Sequence, residues 1–266
     1  MLLEAQAQAQ AQEHGAPRFI LTIEEPVEHP LDGISQLALN PKAGLTLAEV
    51  LRRVLRMDPD LILVSGTRDL ESLEGALRGA ATGHLVLTAF HCLGAIGIIR
   101  RIRDMGCAAI PTAGALAGLI GQCLVRRVCA ACRTEYEPDP EALARISLSP
   151  QDGPFHHGSG CKACFGTGFR GRVGLCEVLE VEEPLRGLIA EDAPPEALWQ
   201  ESFGRNGGSL PEDARDKVRL GITTAEEVRR GMYYYSAPKT GRPERAQPLL
   251  PVRTNLDSSL GGATGH

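Results

Sequence analysis

Aromatic residues are scarce, with one Trp, four Tyr and six Phe in 266 residues. Any core must therefore be built mainly from Leu, Ile, Val and Ala. Lysine is rare as well. Of 28 basic residues only Lys42, Lys162, Lys217 and Lys239 are lysines, and none of them follows a glycine. That excludes a Gly-x-x-x-x-Gly-Lys-Ser/Thr loop from the sequence, the device in which backbone amides, a lysine and a hydroxyl hold nucleotide phosphates. No uncharged apolar run reaches the roughly 18 residues that a membrane-spanning helix needs. The start, MLLEAQAQAQAQEHG, has neither a basic n-region nor an unbroken apolar stretch, so no signal peptide is expected and the chain reads as cytoplasmic. A net charge of −5 argues against general nucleic-acid binding. What is present, 43% apolar and 23% charged residues, suffices for a buried core.

The apolar runs alternate in type. Residues 1–17 are an Ala-Gln repeat, a better helix former than strand former, expected to end near Gly15 and Pro17. Arg18 to Ile23 reads as a buried strand ending in Glu24-Glu25-Pro26-Val27-Glu28. Leu47 to Arg56 has helical spacing, with Thr46 and Glu49 at capping positions. Leu61–Val64 and Leu85–Phe90 read as further strands, each followed by helical spacing, at Leu70–Ala81 and Ala95–Met105. Such alternation predicts an α/β fold with a parallel sheet, whose chemistry gathers at the carboxyl ends of the strands. Residues 112–127 read as a small-residue helix running into an edge strand at Leu124–Val128. Residues 184–231 read as short helices, the last opened by the capping box Thr224–Glu227, and 236–266, rich in Pro and Gly, as a disordered tail.

Cys129-x-x-Cys132 and Cys161-x-x-Cys164 are two knuckles 28 residues apart. In a cytoplasmic chain this spacing predicts four thiolates on one structural zinc ion, with no open position for catalysis. Cys92, Cys107, Cys123 and Cys176 have no partner at ligand spacing and read as small core residues. Between the knuckles, Glu135, Glu137, Asp139, Glu141 and Asp152 would repel phosphate, which argues against a nucleic-acid-binding ribbon.

These segments together resemble the type II secretion and type IV pilus assembly ATPases, hexameric motors of the cytoplasmic face of the bacterial inner membrane. The resemblance rests on Ile20-LTIEEPVEH-His29, Asn40-Pro-Lys42, Leu51-RRVLRMDPDLILVSGTRDLE-Glu71, Thr82-GHLVLTAFH-His91, Arg101-IRDMG-Gly106, the four paired cysteines, Gly168-FRGRVG-Gly174 and Asp216-KVRLGIT-Thr223, in order over about residues 18–232. It implies a RecA-like P-loop core with a tetracysteine zinc ribbon and a helical C-terminal subdomain. The divisions expected are a helix remnant at 1–17, a truncated core at 18–128, the ribbon at 129–175, the helical subdomain at 176–235 and the tail. It also implies an acidic box at Glu24, Glu25 and Glu28, suited to a general base or to holding magnesium and water. A histidine box follows at His84 and His91, with His91 facing the γ-phosphate. Arg52, Arg56, Arg68 and Arg172 match family arginines at subunit interfaces or near phosphates, a task suited to the planar guanidinium. By their residues alone, they read equally as surface charges and helix-face ion pairs.

The sequence departs from the family pattern at its most chemical positions. Where the family has Val-Gly-Glu-Ile/Met-Arg-Asp, this chain has Val64-Ser65-Gly66-Thr67-Arg68-Asp69, so Gly66 replaces the water-activating glutamate. Cys92 follows His91 where the family usually has Thr. The resemblance also places residue 1 partway along the helix after the phosphate loop. The strand preceding that loop, interior to the family's sheet, would then lie outside the sequence, leaving a gap or a new strand pairing. The expectation is a truncated, catalytically degenerate family member that keeps zinc, binds no ATP or magnesium by itself and acts through protein partners, among them an intact motor subunit of a hexamer. It would be peripheral to the inner membrane at most. Two rival expectations are one half of a split motor, completed by a separate chain, and a zinc-ribbon interaction module.

Overall fold

The computed structural model describes residues 19–204, 208–233 and 235. The expected N-terminal helix and C-terminal tail lie outside the described residues. Four parallel strands, β1 (Ile20–Glu24), β2 (Ser35–Ala38), β3 (Leu61–Val64) and β4 (Leu85–Thr88), form one sheet in the order β2-β1-β3-β4. β2 was not anticipated, because Ser-Gln-Leu-Ala is short, largely exposed and lacks an apolar run. Helices α1 (Leu47–Val54) and α2 (Leu70–Ala81) cover one face. Leu51 and Val54 pack there against Leu21, Ile23, Ile62 and Val64. Thr46 caps α1 by accepting from the Glu49 amide, and Asp69 caps α2 by accepting from Ser72, as short oxygen-bearing side chains do at helix starts. Among the described residues β4 pairs only with β3, and its Leu85 is 38% exposed.

After β4 come α3 (Ala95–Asp104) and α4 (Ala109–Ala115). The chain then enters β5 (Gly118–Val128), which starts six residues before the expected edge strand; the small-residue helix predicted over 112–127 is thus only α4. The cause is a two-residue alternation: Leu119, Gly121 and Val125 point inward, Ile120, Gln122 and Leu124 outward. β5 pairs antiparallel with β8 (Phe169–Glu180) in a separate two-stranded sheet. No new pairing between β4 and β5 closes the set among the described residues. Between β5 and β8 lie β6 (Arg133–Tyr136), α5 (Pro140–Arg145) and β7 (Phe155–Gly158), with β6 and β7 paired antiparallel. Four helices follow: α6 (Leu185–Ala190), α7 (Pro195–Phe203), α8 (Leu210–Arg219) and α9 (Ala225–Gly231). One apolar cluster joins α5, β7, α8 and α9 to the β5–β8 ribbon, and a second joins α3 to α6 and α7.

A buried carboxylate locks α9 to the ribbon. Glu227, 3% exposed, accepts from the Arg126 amide and guanidinium and from Arg230. Beside it Glu226 accepts from the Tyr136 hydroxyl and the Asp139 amide. Burial by itself would raise both acids, but these donors outweigh it and hold both below the ordinary value of 4.5. A folded-state pKa below the unfolded one gives stability that is present above the unfolded value and lost as pH falls through the folded one. Melting temperature is therefore expected to fall as pH drops below about 4.5. Glu227→Gln should cost about 1.5–3 kcal/mol near neutrality. That difference should shrink in acid, and an undiminished gap between the two melting curves at low pH would contradict the assignment.

Candidate functional site

The knuckles sit at the end of the β5–β8 ribbon, in the 3-10 turns Ala130–Cys132 and Lys162–Cys164. Backbone bonds join them. The Cys129 amide donates to the Gly168 carbonyl at 2.9 Å, and the Ser159 amide donates to the Cys132 carbonyl at 2.9 Å. A side chain at Gly158 would run into the Gly168 carbonyl, so the backbones approach as only glycine permits. All four Sγ atoms lie within 4.8 Å of one another. The Cys129–Cys161 separation is 3.9 Å, Cys132–Cys164 is 3.8 Å and Cys161–Cys164 is 3.7 Å. Tetrahedral zinc with Zn–S near 2.3 Å requires S···S separations of about 3.8 Å. The thiols are not joined as disulfides. Cys164 Sγ also accepts from the Cys161 amide at 3.1 Å and the Gly168 amide at 3.3 Å. Against burial, these amides and the neighbouring thiols bring its thiol down to about 6, while burial and the same neighbours push Cys132 up to about 12. The donor set fits a closed tetrathiolate metal centre.

The second group lies where parallel strands end. Glu24, the last residue of β1, accepts from Thr22 Oγ1 at 2.6 Å and from Gln36 Nε2 at 2.8 Å. Glu25 faces Arg68 at 3.7 Å, and Glu28 is exposed. Gly66 and Arg68 follow β3, and His91 follows β4, exposed. A side chain at residue 66 would meet the Ala89 carbonyl at 3.6 Å, an ordinary contact, but on a backbone with φ 159°, which residues bearing a side chain rarely adopt. Thr67, 5% exposed, has a hydroxyl with no partner among the described residues. His84 precedes β4 and so lies at the opposite, amino end. Its Nδ1 meets the Gly79 carbonyl at 3.1 Å and the Thr82 hydroxyl at 3.2 Å, closing the end of α2. Arg52 bridges α1 to α2 through Glu71 at 2.8 Å, while Arg56 is exposed beyond the end of α1. Arg172 stands opposite Arg126 in the ribbon, in the other sheet. The structure thus places Glu24, Glu25, Gly66, Arg68 and His91 on one sheet edge and leaves His84 and Arg172 elsewhere.

Glu177 escaped the sequence reading. It lies on the inward face of β8 between Leu175 and Leu179 and is 2% exposed. Its carboxylate accepts from the Ala95 amide at the start of α3, from the Leu210 amide at 2.9 Å and from the Tyr235 hydroxyl at 3.1 Å. Gly94 and Gly121 leave it room: a Cβ on either would come within 3.0 Å of Glu177 Oε1. Because α3 starts four residues after His91, Glu177 anchors the loop that carries His91. A charged residue on the inward face of an otherwise apolar strand was the available signal.

A parallel sheet with polar groups gathered beyond its strand ends is thus joined to a ribbon that carries four cysteines. The chain belongs to the family described as type II/IV secretion system protein, whose model matches residues 3–230. It is 41% identical over 210 residues to the type IV pilus assembly ATPase PilB of Thermus thermophilus, covering 78% of this chain and 24% of that protein. To the type II secretion system ATPase E of Vibrio cholerae it is 38% identical over 219 residues, covering 82% of this chain and 43% of that one. The chain thus spans from about a quarter to under half the length of these relatives. Among solved structures it resembles the pilus retraction motor PilT with bound ADP, at 26% identity and a TM-score of 0.56, covering 84% of this chain and 54% of that one. The fold alone is also shared with the ATPase DotB of Legionella pneumophila, at 23% identity and a TM-score of 0.54 over 80% of this chain and 51% of that one.

Proposed function

We propose that this polypeptide is a non-hydrolysing member of the secretion/pilus ATPase family that acts by binding protein components of such a machine. The observation that carries the reading is Gly66. At the position of the family's water-activating glutamate it offers no acid or base, and loss of positioned general-base catalysis costs about 10²–10⁴-fold. Glu24, Glu25, Glu28 and His91 are then vestiges of the acidic and histidine boxes, and His84 is a structural residue. Arg68 serves to hold Glu25. Arg52, Arg56 and Arg172 remain candidates for contact with a neighbouring motor subunit. Cys129, Cys132, Cys161 and Cys164 would hold zinc, which supplies folding free energy rather than chemistry. ATP and magnesium are the family's ligands; with no phosphate-binding lysine in these 266 residues, a fluorescent ATP analogue is expected to show no micromolar binding. Saturable binding in that range would refute this part. We place the chain in the cytoplasm, at most peripheral to the inner membrane; no helix among the described residues is long and apolar enough to cross one.

The open edge of β4 supports a second reading, a motor completed by a strand and phosphate loop from a separate chain. β4 is apolar, Leu-Val-Leu-Thr, its Thr88 hydroxyl is buried without a partner among the described residues, and it carries none of the lysines, prolines or bulges that protect sheet edges. In that case the unmutated chain, mixed with the matching N-terminal part of a relative, should release phosphate from ATP at a rate that neither part reaches alone. No rise would leave the first reading standing.

A further inference from the structure

From Met105 to Thr134, and again from Gly153 to Cys176, the chain carries no acidic residue, although its net charge is −5. These stretches supply the metal ribbon, and they contain Arg126, Arg127, Arg133, Lys162, Arg170 and Arg172. Arg126 meets buried Glu227, whereas Lys162, Arg170 and Arg172 make no ion pair among the described residues. Beside the second knuckle Phe165 is 92% exposed and has a left-handed backbone, φ 52°. That conformation suits Gly or Asn and disfavours a bulky side chain. A strained and solvated phenyl ring is a poor choice for the isolated fold. Phe165 borders a shallow groove of about 470 Å³ lined also by Lys162, Ala163, Thr167, Phe169 and Arg170. Its floor is fixed, because the Arg126 guanidinium lies 4.1 Å from the centre of the Phe169 ring and is itself held by Glu227.

We propose that this groove docks an acidic protein segment presenting an apolar side chain. The apolar group rests between Phe165 and Phe169, while flanking carboxylates meet Lys162, Arg170 and Arg172. The inference rests on the protein-binding reading above and gives that partner its chemistry. The groove offers one large exposed apolar side chain, fewer than anchoring on a lipid surface needs. Glu135, Glu137, Asp139 and Glu141, on β6, on α5 and in the segment between them, would repel a polyphosphate strand, whereas a short acidic peptide need touch only the tip.

The test is a selection of random displayed peptides on zinc-loaded protein, read against Phe165→Asn and a Lys162→Glu/Arg170→Glu double variant. Asn accepts the left-handed backbone, so Phe165→Asn should keep its zinc and melt at an unchanged or higher temperature. Enriched peptides are expected to flank an apolar residue with two or more acidic ones. Once synthesised, they should bind the unmutated protein at least about tenfold more tightly than either variant. Enriched peptides without acidic excess, or equal binding to Phe165→Asn, would overturn the proposal. So would tighter binding of phosphatidylglycerol vesicles or single-stranded DNA through the same residues. ATP hydrolysis by the chain would sink the non-hydrolysing reading and leave this result standing.

Discussion

Replacing Cys164 by Ser is expected to release the metal and loosen the ribbon while sparing the parallel sheet. Cys164 is 3% exposed, accepts two backbone amides through its sulfur and lies within 4 Å of two other thiols. In small zinc domains, metal binding amounts to about 10–16 kcal/mol of apparent folding free energy near neutral pH. Here part of that role passes to the apolar cluster of Ala142, Leu143, Ile146 and Phe155, so the neighbouring core keeps some independent stability. Zinc content should drop from one per chain to near zero. Amide exchange over residues 129–136 and 155–168 should rise at least about tenfold, while β1 and β3, which bury Leu21, Ile23, Ile62 and Val64, stay protected. Chelation that leaves both the melting curve and the exchange pattern unchanged would count against a structural tetrathiolate.

Glu177→Ala should be the most damaging single substitution outside the ribbon tip. It strands the buried Ala95 and Leu210 amides and the half-buried Tyr235 hydroxyl. Each unsatisfied buried donor costs about 1–3 kcal/mol, so a total loss of about 3–5 kcal/mol is expected. Glu177→Gln keeps one acceptor oxygen and should lose about half as much. Exchange should rise first at the starts of α3 and α8, which the carboxylate joins across 82 and 33 residues of sequence. Equal stability of Glu177→Ala and the unmutated protein would show that another group already satisfies those amides.

Local signals were legible in the sequence and non-local ones were not. The strands Ile20–Glu24, Leu61–Val64 and Leu85–Thr88 announce themselves as apolar runs, and Thr46 and Thr224 mark helix starts that the structure caps. The cysteine spacing points to one shared ion because each knuckle fixes two ligands by itself. β5 was partly hidden because its outward residues Ile120 and Leu124, 46% and 59% exposed, are apolar too, which masks the alternation. β2 owes its place to pairing with β1, not to its own composition. Glu177 was hidden because its partners come from distant helices. His84 and His91 lie seven residues apart in one segment, yet β4 carries them to opposite ends of the sheet.

The central claim is that Gly66 leaves this polypeptide without the group that activates water, and phosphate release from ATP by the purified, zinc-loaded protein tests it most directly. The account predicts a rate indistinguishable from the blank, unchanged by Glu28→Gln or His91→Ala. Magnesium-dependent release that either substitution abolishes would contradict it.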